Sequence, residues 1–186
     1  MPRVLILGSP GSGKSRLARS LSASTGVRAT DLDAVAAIAY RTGLRPRPVG
    51  PLVREAARLA GQNTWIAEGV FIGWTEALRD RASQVVVLKT PLVRCLWRVV
   101  RRHLAAGLPN QHGGVVRLFQ FCFEIVDYYR NRNPDVSWPE NPDRTTLVAT
   151  LRFASKANDR LAVLATRHDI DEWMRDITAQ SIVGPR

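Results

Sequence analysis

A glycine-rich segment near the amino terminus has the residue types and spacing of a phosphate-binding loop. It fits the pattern G-x-x-x-x-G-K-S, in which successive backbone amides hold phosphate oxygens. The Lys14 ammonium is expected to reach the β- and γ-phosphates, and the Ser15 hydroxyl is expected to bind Mg²⁺. The loop residues predicted to bind a nucleotide are Gly8, Ser9, Gly11, Ser12, Gly13, Lys14 and Ser15.

Two carboxylates follow the next apolar segment, Val27 to Leu32, which predicts a strand ending near Asp31. Carboxylates at the carboxyl ends of parallel strands face the ligand crevice. Asp31 is therefore predicted to support a metal ion, and Asp33 to hold an acceptor hydroxyl or take its proton. The alternative is that Asp33 caps the helix predicted from Ala34 to Tyr40.

A third carboxylate stands in the same relation to a strand predicted from Thr64 to Ala67, which is followed by Glu68-Gly69. Glu68 is predicted to contact the metal ion or its water, or to act as a base toward the substrate. The alternative is an ordinary surface glutamate.

Basic residues dominate the segment that follows the fourth predicted strand. Between Arg81 and Phe123 there are seven Lys or Arg and no acid, whereas a solvated helix face normally mixes both signs. Arginine neutralises charge on a transferring phosphoryl group and binds its oxygens in pairs. A solvated basic face is the alternative. The arginines on the polar side of the helix predicted after Thr90-Pro91 are Arg94, Arg98, Arg101 and Arg102.

The spacing of apolar segments predicts the elements that must position these groups. Short aliphatic runs alternate with helical patterns, which indicates a three-layer α/β domain with a parallel sheet. The predicted strands are Val4 to Leu7, Val27 to Leu32, Thr64 to Ala67, Val85 to Leu88 and Leu161 to Ala165.

We predict one domain, 1–186, with an acceptor-binding insertion at about 33–63 and a lid at about 103–132. Leu44 to Pro51 has three prolines and predicts an extended basic connector. His103 to Gly114 is glycine-rich and predicts a flexible flap. The aromatic helix predicted from Val115 to Tyr129 has helical spacing that favours a core role over base stacking.

Composition restricts the class of protein without choosing its ligand. The 186 residues have a formal net charge of +11 and a pI near 11.1, which suggests an anionic partner. Cys95 and Cys122 are predicted to be reduced core cysteines. No apolar segment reaches the length of a membrane span, and a cytoplasmic protein is expected.

The loop from Gly8 to Ser15 resembles the phosphate loop of adenylate-kinase-type enzymes. Thr90-Pro91 followed by Arg98 and Arg102 resembles their Val-Pro turn followed by two ATP-clamping arginines. Asp31-Leu32-Asp33 is similar to the Asp-x-Asp of shikimate-kinase-like members.

Within these adenylate-kinase-related P-loop kinases, the chain resembles the bacterial topology-modulation-protein-like group. The shared features are Leu32-Asp33-Ala34, Trp65 to Gly69 and Leu96-Trp97-Arg98-Val99. The resemblance implies a five-stranded sheet of order 2-3-1-4-5 and an Mg-ATP-dependent phosphotransferase. It also implies that Arg98 and Arg102 hold phosphates and act in catalysis with Lys14 and Asp33.

The chain departs from this pattern on the acceptor side. Glu68 replaces the usual Asp, and Val70 to Gly73 stands where adenylate kinases have an arginine that holds the acceptor's phosphate. Arg41 is predicted to substitute for that arginine in substrate binding, with Arg45 and Arg47 as alternatives, and Arg167 is predicted to contact the nucleotide.

These features predict a kinase that uses ATP and Mg²⁺ to phosphorylate a small acceptor, with a nucleoside or nucleotide leading. A non-nucleotide metabolite bearing a hydroxyl is the near alternative. A nucleic-acid-binding ATPase or polynucleotide kinase is favoured by the charge alone, and a nucleotide-sensing regulator without an acceptor is a third class.

Overall fold

Five strands in the described part of the chain form one parallel sheet. The computed structural model describes residues 2–40, 49–105, 114–134 and 145–182. The strands are β1 Arg3–Gly8, β2 Ala29–Asp31, β3 Trp65–Gly69, β4 Gln84–Leu88 and β5 Leu161–Leu164. Their order in the sheet is β2-β3-β1-β4-β5, so the predicted fold class and strand order are confirmed.

Strand β1 lies at the centre of the sheet, which places the loop that follows it between two neighbouring strands. Leu5 pairs in register with Ala67 of β3 and with Val85 of β4, and both pairings are parallel. At the carboxyl edge, Asp31 of β2 pairs with Glu68 of β3. Two of the predicted carboxylates therefore lie beside each other at the end where the loop begins.

Eight helices connect or flank these strands in the described ranges. They are α1 Lys14–Thr25, α2 Leu32–Tyr40, α3 Val49–Ala60, α4 Glu76–Arg81, α5 Leu92–Ala105, α6 Gly114–Arg130, α7 Leu147–Ser155 and α8 Arg167–Ile182.

Three helix boundaries differ from the sequence prediction. Residues 49–51 of the connector predicted over Leu44 to Pro51 form the first turn of α3, where a proline is tolerated because its missing N–H has no helical partner, and 44–48 lie outside the described residues. Residues 103–105 of the predicted flap continue α5, and 106–113 lie outside the described residues. Helix α2 begins at Leu32, two residues before the predicted start at Ala34.

Both faces of the sheet are buried, as expected for parallel strands. Alternate side chains of β1 divide between two clusters, Leu5 and Leu7 on one face and Val4 and Ile6 on the other. The first cluster includes residues from α2, α3, α4 and α7, and the second includes residues from α1 and α8. This three-layer packing fixes the strand ends relative to the loop.

Helices α5 and α6 pack together outside these layers around a small cluster of Cys95, Val99 and Ile125. The prediction that the α6 aromatics belong to the core is wrong for two of them, since Phe119 and Phe123 are 71% and 70% exposed. These two aromatics have helical spacing, but they face outward. Trp97 on α5 is also exposed, with the Arg101 guanidinium 5.2 Å from its ring centre.

The starts of α7 and α8 have side-chain caps. The Thr146 hydroxyl accepts a hydrogen bond from the Ala149 amide at 3.0 Å and donates to the Asn133 carbonyl at 2.8 Å. At α8, the Thr166 hydroxyl and the Asp169 carboxylate accept hydrogen bonds from each other's backbone amides, as in a capping box. Hydrogen bonds from Thr166 lower the pKa of Asp169 to about 2. No helix in the described ranges is long and apolar enough to cross a membrane.

Candidate active site

The loop after β1 has a backbone that requires glycine. Gly11 and Gly13 have φ values of 76° and 104°, in the left-handed region that side chains disfavour. A Cβ added at Gly11 would lie 2.5 Å from the Cys95 carbonyl oxygen, so α5 also leaves no space there. Ser9, Ser12 and Lys14 are buried. The loop is thus held tightly at the amino end of α1, where backbone amides and the helix dipole favour an anion.

Lys14 forms an ion pair with one of the predicted catalytic carboxylates. Its ammonium lies 3.1 Å from Asp33 Oδ2, and the other carboxylate oxygen, Oδ1, accepts a hydrogen bond from the Val70 amide at 3.1 Å. Asp33 is therefore held between the loop and the end of β3, with its side chain 38% exposed. The structure brings Asp33 and Lys14 together and leaves the carboxylate accessible from solvent.

Glu68 lies deeper in the same site. Its residue exposure is only 3%, so it is not an ordinary surface glutamate. Burial raises its pKa, and the Lys14 ammonium, 3.7 Å from Oε2, opposes that rise. Oε2 has no hydrogen-bond partner among the described residues. A single lysine therefore faces two carboxylates, one well paired and one poorly paired.

The residue that caps helix α2 is Asp31, and not Asp33. Its Oδ1 accepts hydrogen bonds from the amides of Asp33 and Ala34 at 2.8 and 3.1 Å, at the start of α2. Since α2 begins at Leu32 rather than Ala34, the capping position falls on Asp31. The capping alternative for Asp33 is therefore wrong. Asp31 is exposed, next to Glu68 in the sheet.

Arg98 reaches back from α5 to the loop. Its NH1 donates to the carbonyls of Gly11 and Ser12 at 3.2 and 2.9 Å. Arg102 lies one turn further along α5, on the same side of the helix, and is exposed. The structure thus brings Arg98 to the loop and leaves Arg102 exposed one turn further along α5.

Two further predicted contacts are not part of this arrangement. Arg167 begins α8, is 83% exposed and lies 3.7 Å from Asp171 on the same helix. Arg41 lies outside the described residues. The structure therefore does not assemble either arginine with Lys14 and Asp33.

Three residues that contact the loop were not predicted as site residues. The Thr90 hydroxyl donates to the Ser12 carbonyl at 2.9 Å. The Cys95 thiol and the Tyr129 hydroxyl lie 3.5 and 3.3 Å from Ser9 Oγ. Thr90 stands in the sequence only as part of a turn, and Cys95 and Tyr129 have the pattern of core residues. Only the packing of α5 and α6 brings them to the loop.

The oxygen atoms available at this site fit a magnesium ion whose other ligands are nucleotide phosphates and water. No group of three or more His, Cys, Asp or Glu side chains that could hold a metal occurs among the described residues. Mg²⁺ usually keeps several waters and binds through one or two carboxylates plus phosphates, so a full protein cage is not needed. The unpartnered Oε2 of Glu68 and the hydroxyl of Ser15 fit that pattern.

Comparisons with known proteins show the fold. No family model matches the chain, and no curated protein matches it. Shikimate kinase from Acinetobacter baumannii in complex with shikimate is 17% identical, with a TM-score of 0.51, covering 98% of this chain and 93% of that one. This similarity supports the P-loop kinase fold. The topology-modulation-protein-like group is not confirmed.

Two other solved structures are similar at lower scores. A sugar kinase from Janibacter sp. HTCC2649 is 18% identical, with a TM-score of 0.49 over 98% of this chain and 95% of that one. A gluconokinase from Sinorhizobium meliloti 1021 is 14% identical, with a TM-score of 0.43 over 96% and 90%.

Proposed function

We propose that the chain is an ATP-dependent kinase that transfers the γ-phosphoryl group of Mg-ATP to a hydroxyl of a small acceptor. The observation that carries the proposal is the contact between Lys14 Nζ and Asp33 Oδ2 at 3.1 Å. A phosphate-loop lysine and a solvent-accessible carboxylate at this distance supply the two ends of a phosphoryl transfer, because one binds the donor and the other receives the acceptor's proton.

The loop is the donor end of this site. Backbone N–H groups of the loop and the Lys14 ammonium bind the phosphates, and Arg98 approaches them from the α5 side. Arg102 is assigned to the same phosphates because it lies one turn from Arg98. Transfer through a largely dissociative transition state depends mainly on positioning and charge neutralisation, which is what these fixed cations provide.

Glu68 and Ser15 are assigned to the metal side of the site, with Asp31 beside them. When bound, Mg²⁺ neutralises charge on the β- and γ-phosphates. The Glu68 carboxylate then has a second cation in addition to Lys14, which compensates for its burial. Asp31 has one oxygen occupied in capping α2, so its other oxygen is the one available for a metal-bound water.

Asp33 is the acceptor end. Its Oδ1 is fixed by the Val70 amide, and Oδ2 points to Lys14. In the reaction, the acceptor oxygen forms a bond to the γ-phosphorus, the bond between that phosphorus and the β,γ-bridging oxygen breaks, and the acceptor proton passes to Asp33 Oδ2. Lys14 leaves Asp33 for the phosphates when ATP binds, which frees Oδ2 for this role.

The segment after β3 lacks the arginine that binds the acceptor's phosphate in adenylate kinases. Val70 to Gly73 provides no cation for an acceptor phosphate, and Arg41 is the substitute suggested by the sequence. A nucleoside or nucleotide is our first candidate. A hydroxylated metabolite such as shikimate is the second, since the similar structure with a TM-score of 0.51 is that of a shikimate kinase.

An acceptor screen with labelled ATP, together with Asp33→Asn, tests the proposal. The screen covers nucleosides, nucleotides, sugars, shikimate and short oligonucleotides. Asp33→Asn should slow transfer by about 10²- to 10⁴-fold, the usual contribution of a general base, and should leave ATP affinity equal or higher because Lys14 loses a competing carboxylate. Asp171→Asn, at an exposed position on α8, is the control.

Unchanged transfer in Asp33→Asn would contradict the acceptor role, and failure of Lys14→Ala to reduce ATP binding would contradict the donor role. Slow ATP hydrolysis with no phosphorylated product from any acceptor would favour the nucleotide-sensing alternative.

A nucleic-acid ligand is a further candidate from a different class, which exposed aromatic side chains favour. Trp97 is exposed beside the Arg101 guanidinium, and Phe119 and Phe123 are exposed on α6; unpaired bases can stack on such aromatic side chains. Binding to oligonucleotides that falls steeply with salt would support this function. Weak binding that changes little with salt would exclude it.

A further inference from the structure

The phosphate loop is tied to α6 by a small hydroxyl cluster that the kinase proposal does not use. The Tyr129 hydroxyl, in the last turn of α6, donates to the Thr90 carbonyl and lies 3.3 Å from Ser9 Oγ. The phenol has one proton and gives it to Thr90, so Ser9 is the donor in the contact between the two hydroxyls. Ser9 is fully buried.

The partners of Tyr129 also hold the rest of the loop. Thr90 accepts the Tyr129 proton at its carbonyl and, through its own hydroxyl, donates to the Ser12 carbonyl at 2.9 Å. The Cys95 thiol lies 3.5 Å from both Ser9 Oγ and the Tyr129 hydroxyl. Contacts from the turn between β4 and α5, from α5 and from α6 thus converge on Ser9 and Ser12. The Gly11 and Ser12 carbonyls accept from donors outside the loop, and the Ser12 amide donates to the Ser9 carbonyl at 3.2 Å, so these contacts fix the loop backbone.

From this arrangement we propose that Tyr129 is a positioning residue for the phosphate loop. It transmits the docking of α6 against α5 to the conformation in which the loop binds the ATP phosphates. The proposal rests on the assigned nucleotide role of the loop. Burial raises the pKa of Tyr129, which keeps the hydroxyl protonated and able to donate at neutral pH.

The neighbouring tyrosine provides a matched control. Tyr128 is buried, and its hydroxyl donates to Thr150 Oγ1 at 3.2 Å, on α7 rather than on the loop. Each substitution removes one hydroxyl from the same turn of α6: Tyr128→Phe removes the hydrogen bond to Thr150, and Tyr129→Phe removes the contacts with Thr90 and Ser9. A purely structural role predicts the same consequences for both variants.

The experiment measures the ATP dissociation constant, the acceptor KM and the backbone amide resonances of the nucleotide-free protein. Tyr129→Phe should weaken ATP binding about three- to tenfold, the effect of losing one hydrogen bond, with the acceptor KM within about twofold. It should also shift or broaden the amide resonances of Gly11 and Gly13. Tyr128→Phe should keep the wild-type ATP affinity and the wild-type resonances of both glycines.

A second variant, Ser9→Ala, guards against a general defect in Tyr129→Phe. If Tyr129 acts on ATP binding through its contact with Ser9, the double variant should bind ATP no more weakly than whichever single variant has the lower ATP affinity. Fully additive losses overturn the proposal. So does an ATP affinity of Tyr129→Phe within about twofold of wild type, or an unchanged set of glycine resonances.

Failure of the kinase proposal would give a result different from failure of the positioning role of Tyr129. If the wild-type protein binds no ATP, the assigned nucleotide role is wrong, and the amide resonances alone decide the positioning role. Shifted Gly11 and Gly13 resonances in Tyr129→Phe, but not in Tyr128→Phe, then support the link between α6 and the loop, and unshifted resonances overturn it.

Discussion

The buried carboxylate at the end of β3 leads to a prediction about pH and stability in the absence of ligands. At an effective dielectric constant near 20, the attraction between Lys14 and Glu68 across 3.7 Å is about 4 kcal/mol. Burying a carboxylate costs several kcal/mol, and Lys14 is already paired with Asp33 at the shorter distance of 3.1 Å. The pKa of Glu68 is raised because burial, together with repulsion from Asp31 and Asp33, outweighs the attraction to Lys14 and the hydrogen bond with Ser15.

The sign of the pH effect follows from that raised pKa. The folded protein binds the Glu68 proton more tightly than the unfolded chain, in which the pKa is near 4.5. The free energy of unfolding therefore falls as pH rises from that value to the pKa in the folded state. Glu68→Gln does not titrate, so its stability relative to wild type should rise with pH by up to about 1.4 kcal/mol per unit over that interval.

Urea denaturation of both proteins without ATP and with a chelator tests this prediction, between about pH 4 and about pH 8. Taking the difference between the two proteins cancels the titration of other groups. Glu76→Gln, at an exposed position on α4, controls for the loss of a carboxyl group as such. A stability difference that is constant with pH, or that falls as pH rises, would refute the reasoning.

Three further substitutions test other parts of the structure. Gly11→Ala should weaken ATP binding roughly tenfold or more, because it adds both backbone strain and a clash. The control is Gly26→Ala, also at positive φ but in open space. It should lower the free energy of unfolding by about 1 kcal/mol and leave equilibrium ATP binding unchanged. Arg98→Ala should weaken ATP binding by roughly tenfold, the value of a charged hydrogen bond, and Arg94→Ala, which alters an exposed arginine, should change it less than about twofold. Thr146→Val should lower the free energy of unfolding by about 1–2 kcal/mol in urea, because a helix cap and a buried hydrogen bond are lost while the volume is kept; an unchanged midpoint would contradict the capping role.

Much of the fold was predictable because strands and helices leave strong local patterns. The aliphatic runs at Val4 and Val85 marked buried parallel strands, and the loop motif marked the turn between β1 and α1. The strand order came from the resemblance and not from periodicity. Short α4 has too few residues for a periodic signal, and it was not predicted.

Site residues at the ends of strands were predictable from the sequence. Features that depend on tertiary contacts were harder to predict. The positions of Lys14, Asp33 and Glu68 follow from the strand–loop–helix order. Which aspartate caps α2 depended on a two-residue difference in the start of that helix. The exposure of Phe119 was missed because periodicity identifies an apolar face without showing whether another element covers it.

The hydroxyl cluster around the phosphate loop also has a consequence for the order of folding. Ser9 and Tyr129 are 120 positions apart in the chain, and Ser12 and Thr90 are 78 apart. Contacts between residues so far apart in the chain form late in folding, because the chain must lose the entropy of the long intervening loop before the contact contributes any favourable free energy. During synthesis the glycine-rich turn is made first, but the contacts from Tyr129 form only after α6 has been made and has docked. Acquisition of ATP affinity should therefore follow sheet formation in refolding, which would make the nucleotide a reporter of the completed fold.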